Sequence, residues 1–166
     1  MKNKMTFKIS TEISKTPLAE ISKVIPKEIL IATNNPGKFT EIEDLLKQVN
    51  IKAIPTFDRN ITEPEENGET FADNSLIKAK YYANHTNLFS LADDSGLCVE
   101  GLNGEPGVYS ARWAIDDKTG EKSFASAFDK IYEALLKKGV DPEKNPKAYF
   151  ICNLTLFDPK TNFSIS

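Results

Sequence analysis

Three short stretches carry residues whose types and spacing suit chemistry on a phosphate. The first is Asn35-Pro36-Gly37-Lys38, set between an apolar run ending at Thr33 and a pattern with helical spacing. Asparagine is a good N-cap, and proline suits the first helical position, where no N–H is needed. Gly37 leaves the backbone open to an approaching group. Lys38 adds a full charge to the partial positive charge of a helix N-terminus, which together make an anion site. The same residues also fit an ordinary capped helix with a solvated lysine. They are not a Walker A loop, because Phe39 follows the lysine.

The second stretch places Glu63, Glu65, Glu66 and Glu69 before a helix carrying Asp73, Asn74 and Lys78. Asn74 and Lys78 are four residues apart and share a helix face. Taken alone, this reads as a solvated acidic loop with carboxylates favoured by the helix dipole. The third stretch is LADDSGLCVEGLNGEPGVYSARWA, residues 91–114. Asp93 and Asp94 leave an apolar strand and are expected to enter a turn at Ser95 and Gly96. Neighbouring strand side chains point to opposite faces, so one aspartate should face a cleft and the other should be structural. Carboxylates at the carboxyl end of a strand lie where open α/β sheets build ligand sites. An Asp and a Glu supplying oxygens, completed by phosphate, is how Mg²⁺ is usually held. The alternative is a turn that caps its own backbone.

Alternating elements must position these stretches. Glu28–Thr33 reads as a buried strand, and Phe39, Ile42, Leu46 and Val49 mark one face of the helix that follows. A short strand over 51–57 ends at Pro55 or runs along an edge. A helix spans Thr70 to about Asn84, with Ala72, Leu76, Ala79 and Ala83 on one face. Residues 87–102 read as strand, acidic turn, strand. A helix from Thr119 to Gly139 carries Phe124, Phe128, Ile131 and Leu135, with the 124/128 stripe assigned to the core. A long strand over 148–157 and a turn at 158–162 lead into a last short strand. The expected fold class is α/β: a mixed central sheet flanked by helices, in two lobes with a substrate cleft.

The formal charge of −3 gives no basic stripe for a nucleic-acid polymer, and no apolar stretch approaches membrane-spanning length. Cys98 and Cys152 form no CxxC pair and lie apart from the single histidine, His85. That argues against structural zinc and a disulfide scaffold and fits a reducing cytoplasm. Both cysteines are read as small core residues, His85 as a surface or capping residue, and Trp113 as packing. Residues 1–27 are read as an extra solvated leader. Because 163–166 begin a strand without continuing it, residues 28–166 are expected to be an incomplete domain lacking its C-terminal portion.

ATNNPGKFTEIEDLL, EENGETFADNSLIKAKYYA and LADDSGLCVEGLNGEPGVYSARWA, in this order, closely resemble the motifs of the inosine triphosphate pyrophosphatase family. Ser75 departs from the alanine more usual there. The resemblance implies Mg²⁺-dependent hydrolysis of non-canonical purine nucleoside triphosphates (ITP, dITP, XTP) to the monophosphate and pyrophosphate. It also implies a homodimer. Carried across, Thr33, Asn35 and Lys38 correspond to the phosphate grip, with Lys38 also catalytic. Glu66 and Asp94 correspond to metal ligands, and Asp94 to the base. Asn74 and Lys78 support them, while Ser95 and Gly96 supply contacts in the turn. The family's later base-reading motifs, a G-x-x-G-F-G-Y-D-P segment and a Ser-His-Arg motif, do not occur in the chain. The alternative function is an inactive truncated remnant. A Maf-like pyrophosphatase ranks low, because residues 33–38 lack that family's Ser-x-Ser-Pro-Arg-Arg loop.

Overall fold

The structure, a computed structural model, describes residues 26–144 and 146–166. The leader expected over the N-terminal residues therefore lies almost wholly outside the described residues. Strand β1 (Glu28–Ile31) buries Ile29, Leu30 and Ile31, as a parallel strand covered on both faces must. Helix α1 (Pro36–Lys47) follows, then β2 (Lys52–Ile54), which pairs parallel to β1 at the sheet edge. Helix α2 (Phe71–Thr86) leads into β3 (Ser90–Val99). Two short 3₁₀ turns and α3 (Ser110–Trp113) precede α4 (Phe124–Lys137). Strands β4 (Ala148–Asp158) and β5 (Phe163–Ile165) complete a five-stranded sheet in the order β2-β1-β3-β4-β5. The fold is a mixed α/β sheet flanked by helices, as the alternation of elements implies.

The sheet has two covered faces. Against one, Phe39, Ile42 and Leu46 of α1 pack on Ile29, Ile31 and Ala53. Val49, placed on the same stripe by spacing, falls beyond the helix end and is exposed. Against the other face, Ala79, Tyr82 and Ala83 of α2 pack on Leu30, Ala32, Ile54, Ala92 and Phe157. A third cluster of Val99, Leu102 and Leu135, with Ile131 and Trp113 beside it, seats α4.

Strand β3 decides where the site forms. It pairs with β1 only through Leu30↔Ser90 and Ile31↔Leu91, then runs past the end of β1. Strand β4 supports the overhang, pairing antiparallel from Ser90↔Phe157 to Val99↔Ala148. Asp93, Asp94, Ser95 and Gly96 thus lie inside a continuous ten-residue strand, not in the expected turn. Asp and Gly are poor strand formers, but the ladder to β4 and the partners described below override that preference. Gly96 is required by a close approach. A Cβ there would stand 2.4 Å from the Gly107 carbonyl oxygen and 2.6 Å from Ser110 Oγ.

Other expectations also change. Helix α4 begins at Phe124, where Ser123 caps it by accepting from the Ser126 N–H. Thr119 instead belongs to a turn around Asp116, whose Oδ1 accepts from the Lys118 and Thr119 N–H groups. Phe124 and Phe128 are exposed at 68% and 65%, so they are not core. The inward stripe of α4 is buried Leu135 with half-buried Ile131 and Ala134. Cys98 is buried as expected, whereas Cys152 is exposed. His85 is exposed at the end of α2, its ring 4.1 Å from that of Tyr81. Among the described residues no helix is long and apolar enough to cross a membrane.

Candidate functional site

The overhang of β3 places its two aspartates beside the N-terminal end of α1 and the first half of α2. Asn35 caps α1: its Oδ1 accepts from the Gly37 and Lys38 N–H groups, with Pro36 at the first position. Its side chain is therefore committed to the helix end. Thr33 Oγ1 accepts from the Asn35 N–H at 3.2 Å and fixes the approach to the cap. One turn into the helix, Lys38 forms an ion pair with Asp93 and donates to Ser95 Oγ at 3.3 Å.

The opposite face is built from α2. A capping box holds its start, with Thr70 and Asp73 each accepting from the other's backbone N–H. Asn74, 2% exposed, accepts from the Gly68 N–H at 2.7 Å. Lys78 donates to Glu66 at 2.7 Å and to the Asp93 carbonyl at 2.9 Å. The acidic loop is pinned from two sides: Asn34 donates to Glu63 at 2.8 Å, and Arg112 donates to the Glu66 carbonyl at 3.1 Å. Its Glu63 and Glu66 form part of a cleft of about 300 Å³, lined also by Thr33, Lys38, Lys78 and Asp93.

Asp94 sits behind this lining. Its Oδ1 accepts from the Ser95 N–H at 2.9 Å, while its Oδ2 is buried with no hydrogen-bond partner. Burial pushes the carboxyl above the usual carboxylate range, and nearby Glu66 adds to the rise. The Asn74 amide, Lys78 and the Ser95 N–H oppose it. A buried acceptor without a partner is costly, so it marks a place where a cation or a proton is wanted.

The sequence-derived residues divide accordingly. Thr33, Asn35, Lys38, Glu66 and Lys78 line the cleft. Asn74, Asp94 and Ser95 stand against it. Gly96 does not approach it but seats the 107–110 segment on β3. Asp93 is ion-paired toward α1 and lines the cleft, while Asp94 lies behind it, within electrostatic reach of Glu66 and Lys78 on the α2 side. Glu63 of the acidic loop and Asp93, one of the two strand aspartates, line it as well, together with residues not singled out from sequence: Asn34, Pro64, Tyr82 and Lys122. Tyr82 and Lys122 carried no signal, because one reads as helix core and the other as a surface lysine.

The Ham1 family model matches residues 29–165. The chain belongs to the Ham1 family. Its relatives agree. A dITP/XTP pyrophosphatase of Zymomonas mobilis is 40% identical over 134 residues, 81% of this chain and 61% of that protein. One from Legionella pneumophila is 43% identical over 130 residues, 78% of this chain and 62% of that protein. A HAM1 protein from Coxiella burnetii superposes with a TM-score of 0.70 at 34% identity, covering 83% of this chain and 67% of that one. The Staphylococcus aureus Ham1 protein gives 0.64 at 34% identity, over 80% and 64%. This Ham1 chain spans about six tenths of the length of the curated relatives it matches.

Proposed function

We propose that this Ham1 chain hydrolyses non-canonical purine nucleoside triphosphates, of the dITP and XTP kind, to the nucleoside monophosphate and pyrophosphate. One observation carries the reading. Two lysine–carboxylate pairs, Lys38–Asp93 and Lys78–Glu66, close around a buried aspartate whose Oδ2 has no partner. The names of the relatives supply the substrate class.

The residues also fit Mg²⁺. No group of three or more His, Cys, Asp or Glu side chains converges among the described residues. Mg²⁺ needs none, since it is commonly held by one or two carboxylates, with water and substrate phosphate completing the shell. Glu66 and Asp94 would hold it, and its arrival would satisfy the orphaned Asp94 oxygen. Bound there, the ion would acidify water and neutralise phosphate charge.

The chain's own groups supply the rest. The N-terminal end of α1 and Lys38 hold the phosphates, and Lys78 keeps Glu66 oriented while its second hydrogen bond ties it to β3. Asp94 accepts the proton of the attacking water. The water oxygen bonds to the α-phosphorus, the bond to the α–β bridging oxygen breaks, and pyrophosphate leaves with its charge held by Lys38. Asn74 fixes the α2 side of Asp94. We further propose that two copies pair through an apolar face that includes Phe124 and Phe128, and that the enzyme works in the cytoplasm, where free thiols such as Cys98 and Cys152 persist. Sedimentation of the purified chain tests the pairing.

The reaction is tested by incubating the full chain with ITP and Mg²⁺ and assaying pyrophosphate against inorganic phosphate. Stoichiometric pyrophosphate and IMP are expected. Release of single phosphates, or no turnover from folded protein, would refute the reading.

A further inference from the structure

Three lysines line the cleft, and their electrostatic situations differ. Lys38 is paired with Asp93, and Lys78 with Glu66. Lys122 has no carboxylate within ion-pair distance among the described residues, and its ammonium lies only over the Phe124 ring, 5.4 Å from the centroid. An anion entering the cleft must share Lys38 and Lys78 with their carboxylates. Lys122 meets it with its charge uncompensated.

The backbone under Lys122 is fixed. Residue 122 forms an antiparallel bridge with Ile115, the Ser123 N–H donates to the Ala114 carbonyl at 2.7 Å, and the Asp116 N–H donates to the Glu121 carbonyl at 2.8 Å. Of the carboxylates in the same segment, Asp116 binds its own turn and Asp117 is paired with Lys130 at 2.8 Å, while Glu121 forms no ion pair among the described residues, with Lys122 or any other cation. The segment before α4 therefore presents one unpaired cation to the cleft that Lys38 of α1 also lines.

We propose that Lys122 binds the polyphosphate chain of the substrate and sets its affinity. The assignment rests on the reading of the cleft as a nucleoside triphosphate site. A lysine ammonium is a point charge that suits phosphate oxygens and carries no information about a base. Its role is therefore phosphate recognition and not discrimination between purines.

Inorganic tripolyphosphate separates these roles, because it presents the phosphates without sugar or base. Its binding to the full chain is measured by titration calorimetry with Mg²⁺, for the wild type, Lys122→Gln, Lys122→Arg and a control, Lys118→Gln. Lys122→Gln should weaken tripolyphosphate binding about tenfold, the value of one charge-assisted hydrogen bond. Lys122→Arg should restore most of it, and Lys118→Gln should match the wild type. In turnover, KM should rise by the same factor with kcat nearly unchanged. Unaltered tripolyphosphate affinity in Lys122→Gln would overturn the proposal, as would a risen KM without weakened tripolyphosphate binding. Absence of tripolyphosphate binding by the wild type would overturn it too. Binding without turnover would refute the hydrolytic reading alone, since calorimetry still reads the lysine.

Discussion

Helices α2 and α4 invert the usual arrangement in opposite ways. Helix α2 buries polar groups: Asn74 and Ser75 are 2% and 0% exposed, beside Ala79 and Ala83. Ser75 Oγ is 2.7 Å from Thr155 Oγ1 and accepts from Asn153 at 2.7 Å, a contact that ties the helix to β4 next to Asp94. Helix α4 buries Leu135, half-buries Ile131 and Ala134, and shows Phe124, Phe128, Tyr132 and Leu136 to solvent. The lesson is that polar burial, which always demands partners, points to a built site. Apolar periodicity identifies a helix without saying which of its faces is covered.

Substitutions on the two helices sharpen that contrast. On α2, Lys78→Ala frees Glu66 and removes the bond to the Asp93 carbonyl. Turnover should fall by about 10²- to 10³-fold, the scale of losing one charge-stabilising group, with KM less affected. A loss explained wholly by unfolding, visible in circular dichroism, would place Lys78 in the scaffold instead. On α4, Leu135→Ala should lower the unfolding free energy by about 2–5 kcal/mol, as for other buried leucines. Kinetics per folded molecule should be unchanged, and urea titration provides the first number.

Asp94 offers a smaller but more diagnostic effect, measured in chelator-treated protein. Its carboxyl is raised in the fold, mainly by burial, so its ionised form opposes folding. Stability from this group is full at low pH and is lost as pH rises through the elevated value. Asp94→Asn removes that loss. The variant should be more stable than the wild type at pH 7 by about 1 kcal/mol, or roughly 2–4 °C. The difference should shrink as pH falls and the wild-type group takes up its proton. Equal melting temperatures across this range would mean that the carboxylate is not penalised. The smallest effect belongs to the outer stripe of α4, where Phe128→Ser should change monomer stability by no more than about 0.5 kcal/mol. A large loss at low protein concentration would show that this face is covered within one chain.

Much of the fold was legible. The Asn35 cap, the buried β1 run and the α2 register follow from residue types whose local preference agrees with the final structure. The Asp93–Gly96 strand did not, because its ladder to β4 joins residues far apart in sequence, and local propensity favours a turn. The start of α4 was misplaced because Thr119 and Ser123 are both acceptable caps, and Asp116 captures the first in a turn. In the site, the motif residues on helices and strands are legible, while the cleft position of Lys122 depends on a loop path that no periodicity encodes, and Tyr82 of α2 reads as helix core. Asn35 was rightly read as a cap, and the structure commits its Oδ1 to that duty rather than to an open phosphate contact.

Asp94 is buried, at 8% exposure, with one oxygen orphaned. The most direct measurement is pyrophosphate release from ITP and Mg²⁺ by the wild type and by Asp94→Asn, both shown to be folded by thermal melting. The expected result is turnover by the wild type and a loss of at least about 10³-fold in a variant that melts no lower. A folded Asp94→Asn protein that retains wild-type turnover would contradict it.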